Sequence, residues 1–96
     1  MADDTDRDVT RRRIRIGGMV QGVGFRYFVM GEARALDVEG WVRNLPDGDV
    51  LCEAQAPREV MDQFLERLRR GPRFSHVDRV DAEDLEPESG SGFAIR

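Results

Sequence analysis

The chain has 96 residues, 15 basic and 19 acidic, with a formal net charge of −4, one cysteine and one histidine. That length suits one domain with an adequate core, and the charge disfavours a general nucleic-acid role. A lone cysteine excludes an internal disulfide or a Cys-rich zinc site, and a lone histidine argues against a His-based metal centre or triad.

Every basic residue is arginine. Without lysine there is no Schiff-base chemistry and no P-loop lysine. No apolar run approaches membrane-spanning length, and the polar start "MADDTDRD" lacks a signal-peptide core, so a cytoplasmic protein is expected.

Residues 1–10 are polar and acidic and read as a disordered tail; the domain is expected over 11–96. Arg13, Ile14, Arg15 and Ile16 alternate like a half-buried strand, and the Arg11–Arg13 run reads as its solvated start. A glycine-rich stretch follows, "GGMVQGVGFR" over 17–26. Phe25, Phe28, Val29, Ala33 and Leu36 then recur at helical spacing, predicting a helix over about 24–36. Asp37 stands where a Gly or Asn commonly closes a helix.

Val38–Leu45 reads as a strand, Pro46-Asp47-Gly48 as a turn, and residues 49–56 as the return strand with Val50, Cys52, Ala54 and Ala56 on one face. Asp47 and Asp49 flank the turn and read as solvated. Pro57 suits the first turn of a second helix, whose stripe is Val60, Met61, Phe64, Leu65 and Leu68 and whose stop is Gly71-Pro72. The stretch from His76 carries Val77 and Val80 and reads as a strand. Ser89–Gly92 is a turn, and Phe93–Arg96 a short last strand. Cys52 and Trp41 read as packing residues, and His76 as a surface or half-buried group.

The order strand–helix–strand–strand–helix–strand, with an extra short strand, points to α+β. The best fit is a ferredoxin-like split βαβ sandwich (βαββαβ), an antiparallel sheet with both helices on one face.

The glycine loop leaves the first strand and enters the first helix. Its N–H groups could converge on an anion, helped by the helix start and by the Arg26 fork. The competing reading is a plain Gly-rich turn beside an incidental arginine. A dinucleotide fingerprint does not fit, because Tyr27 stands where its third glycine belongs.

Two motifs separate these readings. Val20-Gln21-Gly22-Val23-Gly24-Phe25-Arg26, with Gly18 ahead of it, is followed by Gly40-Trp41-Val42-Arg43-Asn44 and Asp47-Gly48-Asp49-Val50. In this order and separation they resemble the acylphosphatase family, as do Arg70-Gly71-Pro72 and the closing Phe93–Arg96; the resemblance spans about residues 12–96. Met19, Val29 and Ala56 depart from the family pattern, where a basic residue, a Thr and a Gly are common.

The resemblance implies hydrolysis of the carboxyl–phosphate bond of small acyl phosphates to a carboxylate and inorganic phosphate. Arg26 matches the phosphate-binding arginine and Asn44 the asparagine that orients the attacking water. The backbone N–H groups of Gln21, Gly22, Val23, Gly24 and Phe25 would cradle the phosphate. No metal and no cofactor are implied. The expected partner is the small-molecule substrate, with no nucleic acid and no membrane, and the chain is expected to be monomeric. Two other functions stand beside this one: hydrolysis of carbamoyl phosphate, and a non-catalytic anion-binding module on the same fold.

Overall fold

In the computed structural model, which describes residues 9–96, strand β1 runs Val9–Met19. Ile14 and Ile16 are fully buried, and Arg13 and Arg15 lie on the opposite face, as alternation requires. The expected tail lies outside the described residues up to residue 8. Its last two residues belong to the strand: Val9 pairs with Pro57 and Thr10 with Ala56.

Helix α1 (Phe25–Ala35) buries Phe25, Val29 and Ala33. It ends in a Schellman motif. The Val38 N–H donates to the Ala33 carbonyl at 2.7 Å and the Asp37 N–H to that of Arg34 at 3.3 Å. Asp37 takes the left-handed position of that motif, with φ 61°.

Strands β2 (Glu39–Asn44) and β3 (Val50–Pro57) form the expected hairpin. The Leu45 N–H donates to the Asp49 carbonyl at 2.8 Å, and the Gly48 N–H to that of Leu45 at 3.2 Å. Pro57 is not in the first turn of the second helix. It ends β3 opposite Val9 and holds the cap position with an extended ψ of 150°, because the β1–β3 ladder runs that far. Helix α2 (Arg58–Arg70) follows and buries Met61, Phe64, Leu65 and Leu68; β4 (His76–Leu85) and β5 (Phe93–Ile95) complete the chain.

The sheet order is β4-β1-β3-β2-β5. The four long strands pair antiparallel, the arrangement of two interleaved βαβ halves. The short β5 makes the sheet mixed, since it pairs with β2 in parallel. The reason is directional: β4 and β2 run oppositely, so the chain that leaves β4 and turns back rises alongside β2. Both helices cover one face. Their apolar stripes close on Ile14, Ile16, Val42, Val50, Cys52, Ala54 and Phe93 in a single core. Among the described residues no helix is long and apolar enough to cross a membrane.

The open face departs from the sequence expectation in two places. Arg11 is not a solvated strand start: it is only 6% exposed, and its Nη2 donates to Glu53 Oε1 at 2.9 Å. Arg13 donates to the other oxygen of Glu53 at 2.9 Å. The register causes this, placing Arg13 opposite Glu53 and Arg11 opposite Gln55. Trp41 packs, as expected, but not in the core: it is half-buried on the open face. Val42 is fully buried, so its neighbour Trp41 turns to the open face, between the guanidiniums of Arg96 (4.9 Å from the ring centre) and Arg43 (5.5 Å).

Candidate active site

Strands β1 and β2 both run antiparallel to β3 and therefore point the same way. The loop after β1 and Asn44 at the end of β2 thus emerge at one end of the sheet. Val50 links them in a row, pairing with Ile16 on one side and Asn44 on the other. Alternation alone leaves open which face Asn44 takes. The burial of Val42 decides it, because Asn44 shares that side and so projects on the helix-covered face.

The loop itself turns on Gly22 and Gly24, each with φ 77° and each with open space where a Cβ would stand. Only glycine takes that backbone readily. Gly24 caps α1 in a left-handed conformation, and no side chain caps the helix start. Among the described residues, the first backbone N–H after β1 to reach a protein acceptor is that of Phe28, which donates to the Gly24 carbonyl at 3.0 Å. The N–H groups of Gln21, Gly22, Val23, Gly24 and Phe25 are left for another acceptor. Phe25 is buried and pins the first helical turn to the core.

Arg26 follows in that turn and is half-buried. Among the described residues no carboxylate pairs with it, whereas Arg11, Arg13, Arg15 and Arg79 of the sheet are each held by two. A guanidinium without a carboxylate partner, one residue after such a run of N–H groups and in the first turn of a helix, has the chemistry to take an anion with several oxygens.

Gln21 was expected to offer its backbone N–H, and its side chain adds something the sequence did not signal. Its Nε2 donates to the carbonyl oxygens of Leu45 and Asp49, both at 2.8 Å. This fastens the loop to the hairpin that carries Asn44.

Behind that hairpin lies an ion cluster. Asp49 is not solvated as its turn position suggested; it is 7% exposed. Its Oδ2 accepts from Arg15 Nε and Arg79 Nη2, both at 2.7 Å. Arg15 also pairs with Asp47, whose other oxygen accepts the Asp49 N–H at 3.0 Å. That N–H, with the Arg15 charge, holds the Asp47 carboxyl below its usual range. The alternating arginines of β1 were visible in the sequence, but their acidic partners depend on register.

Cys52 is fully buried in the core, and burial pushes its thiol well above the usual range, which removes it as a nucleophile. His76 is exposed and its Nε2 lies 2.9 Å from Asp78 Oδ1. Among the described residues no three His, Cys, Asp or Glu side chains gather to hold a metal.

Comparison with known proteins gives the family and the fold. The family model for acylphosphatase matches residues 12–95. The acylphosphatase of Bifidobacterium longum is 43% identical over 91 residues, covering 93% of this chain and 94% of that protein. Among solved structures, an acylphosphatase from Coxiella burnetii superposes with a TM-score of 0.92 at 34% identity over all of both chains. The acylphosphatase of Bacillus subtilis superposes with a TM-score of 0.87 at 38% identity, over 91% of this chain and 98% of that one.

Proposed function

The chain belongs to the acylphosphatase family, and from that premise we propose that it hydrolyses small acyl phosphates to a carboxylate and inorganic phosphate at the loop of residues 20–26. The observation that carries this reading is the double hydrogen bond of Gln21, at 2.8 Å to Leu45 and 2.8 Å to Asp49, which joins the anion loop to the strand end bearing Asn44.

In this reading the phosphoryl group lies against the N–H groups of Gln21 to Phe25, and the Arg26 fork takes two of its oxygens. The Asn44 side-chain oxygen accepts a hydrogen bond from water and aims it at phosphorus. The water oxygen bonds to phosphorus and the bond from phosphorus to the acyl oxygen breaks. The carboxylate leaves with that electron pair, and the water's proton passes to a phosphoryl oxygen. A carboxylate is already a good leaving group, so no strong general acid is needed. Positioning and neutralisation of the equatorial oxygens carry the rate. Arg26 and the amides supply that positive charge.

The test is hydrolysis of benzoyl phosphate, with chelator present, by the wild type, Arg26→Ala and Asn44→Ala. Each variant is checked for folding by circular dichroism. Turnover by the wild type and a fall of about 10²-fold or more in both variants is the expected result. Loss in kcat and KM together fits Arg26, and loss chiefly in kcat fits Asn44. A folded wild type that is inactive on benzoyl phosphate would refute the reading. Carbamoyl phosphate run in parallel separates the two substrate classes.

A further inference from the structure

We infer that Arg79 is a positioning residue for the hydrolysis, and that residue 17 is a glycine because the Arg79 guanidinium crosses it to reach Asp49. This inference rests on the acyl phosphate reading above and adds a residue of the edge strand β4 to what sets that site.

Strand β1 lies between β3 and β4. Its Ile16 pairs with Val50 of β3, and its Gly17 with Arg79 of β4. Asp49, one residue before Val50, therefore lies across Gly17 from Arg79. The guanidinium spans the glycine: its Nη2 donates to Asp49 Oδ2 at 2.7 Å. A Cβ on Gly17 would stand 2.3 Å from Nη1 and 2.4 Å from Cζ, so the guanidinium fills the space of a side chain. The φ of Gly17 is not positive, so its backbone does not call for glycine; the guanidinium does. The β1–β4 register shifts between Gly17 and Gly18. Arg79 thus grips Asp49 from the last regular row before β1 leads into the anion loop.

Asp49 passes this hold to both halves of the site. Its carbonyl oxygen accepts from Gln21 Nε2 and from the Leu45 N–H, each at 2.8 Å. Gln21 belongs to the loop, and Leu45 directly follows Asn44. One carbonyl thus sets the distance between the N–H groups of the loop and the residue that orients water. Arg15 holds the same carboxylate oxygen at 2.7 Å but also pairs with Asp47 of the turn, whereas Arg79 brings in β4 from the other side of β1. The phosphate cradle is local to the loop and Arg26. What Arg79 steadies is its distance from Asn44, so loss of Arg79 acts on kcat rather than on phosphate binding.

The experiment measures benzoyl phosphate hydrolysis and inhibition by inorganic phosphate in the wild type, Arg79→Ala, Gly17→Ala, the double variant and Arg12→Ala, each checked for folding. About half of the Arg79 side chain is exposed, so truncating it leaves the core intact. Arg12→Ala is the control: it removes another ion pair between the same two strands, Arg12 to Asp84 at 3.1 Å, away from Asp49. In Arg79→Ala, kcat should fall about fivefold, with KM and the phosphate inhibition constant within about twofold of the wild type. Gly17→Ala, which displaces the guanidinium without removing it, should lower kcat to the same degree. Added to Arg79→Ala it should cost nothing more, since nothing is then left to displace. Arg12→Ala should keep the wild-type kcat. A wild-type kcat in folded Arg79→Ala, losses that multiply in the double variant, or an equal fall in Arg12→Ala would each overturn the inference and leave the hydrolase reading standing. A wild type inactive on benzoyl phosphate would remove both.

Discussion

Gln21 and Asp49 stand 28 residues apart in the chain, yet the side-chain nitrogen of one lies 2.8 Å from the backbone oxygen of the other. Asp49 in turn is held through its carboxylate by Arg15 and Arg79, each at 2.7 Å. Loop, hairpin and two strands are thus joined at one point, and the placement of the free N–H groups depends on it. Gln21→Ala should lower stability by about 2 kcal/mol, the worth of two hydrogen bonds. It should lower kcat/KM by about tenfold or more by letting the loop shift. Gln21→Glu keeps the shape but loses the donor, so it should fail to restore activity. Urea titration with steady-state kinetics checks both; wild-type kinetics in Gln21→Ala would remove the positioning role.

Arg26→Lys keeps the charge and loses the planar fork. We expect it to recover only a small part of the activity lost in Arg26→Ala, because an ammonium group cannot take two phosphate oxygens in parallel. Inorganic phosphate, measured as a competitive inhibitor, should weaken in the same order. Full activity in Arg26→Lys would show that a point charge suffices.

Glu53 is nearly buried between two arginines, each 2.9 Å away. Burial raises its pKa, but the hydrogen bonds from Arg13 and Arg11 outweigh that and leave it below the usual value. A depressed carboxylate contributes stability above its unfolded pKa, and that stability is lost as pH falls through the folded one. Glu53→Gln should therefore destabilise the protein by about 3 kcal/mol at neutral pH, since it leaves the buried Arg11 charge only Gln55 and the exposed Glu88 as partners. The variant should also lose less stability than the wild type between neutral and strongly acidic pH. Urea midpoints across that range decide the matter; parallel curves would contradict it.

Asp37, with φ 61°, occupies the left-handed position of the α1 Schellman motif. Asp37→Gly should raise stability by about 1 kcal/mol, because glycine takes that conformation without a side-chain clash. Asp37→Asn should give a smaller gain. A lowered melting temperature in Asp37→Gly would mean that the aspartate makes a compensating interaction.

Much of the fold was legible because the signals are local. The apolar stripes of α1 and α2 were read from their period, and the hairpin from Pro46-Asp47-Gly48. The anion loop was legible as two alternatives, and its resemblance to a family chose between them. What escaped the sequence shares one cause. The burial of Arg11 against Glu53, that of Asp49 against Arg15 and Arg79, the turn of half-buried Trp41 to the open face beside Arg96 and the reach of Gln21 to Leu45 and Asp49 each depend on residues distant in the chain, whose register no local pattern records.

By itself, then, the sequence determined which segments become strands and helices, and it put Gly22 and Gly24 in one loop with Arg26 in the helical turn that follows, since periodicity, turn chemistry and adjacency act within a few residues. Only the tertiary structure decided that Asn44 shares the helix-covered face with Val42, that β5 joins β2 in parallel, and that Gln21 reaches the carbonyls of Leu45 and Asp49. Alternation is symmetric between the two faces of a strand until one is buried, and distant residues meet only once the sheet order is set.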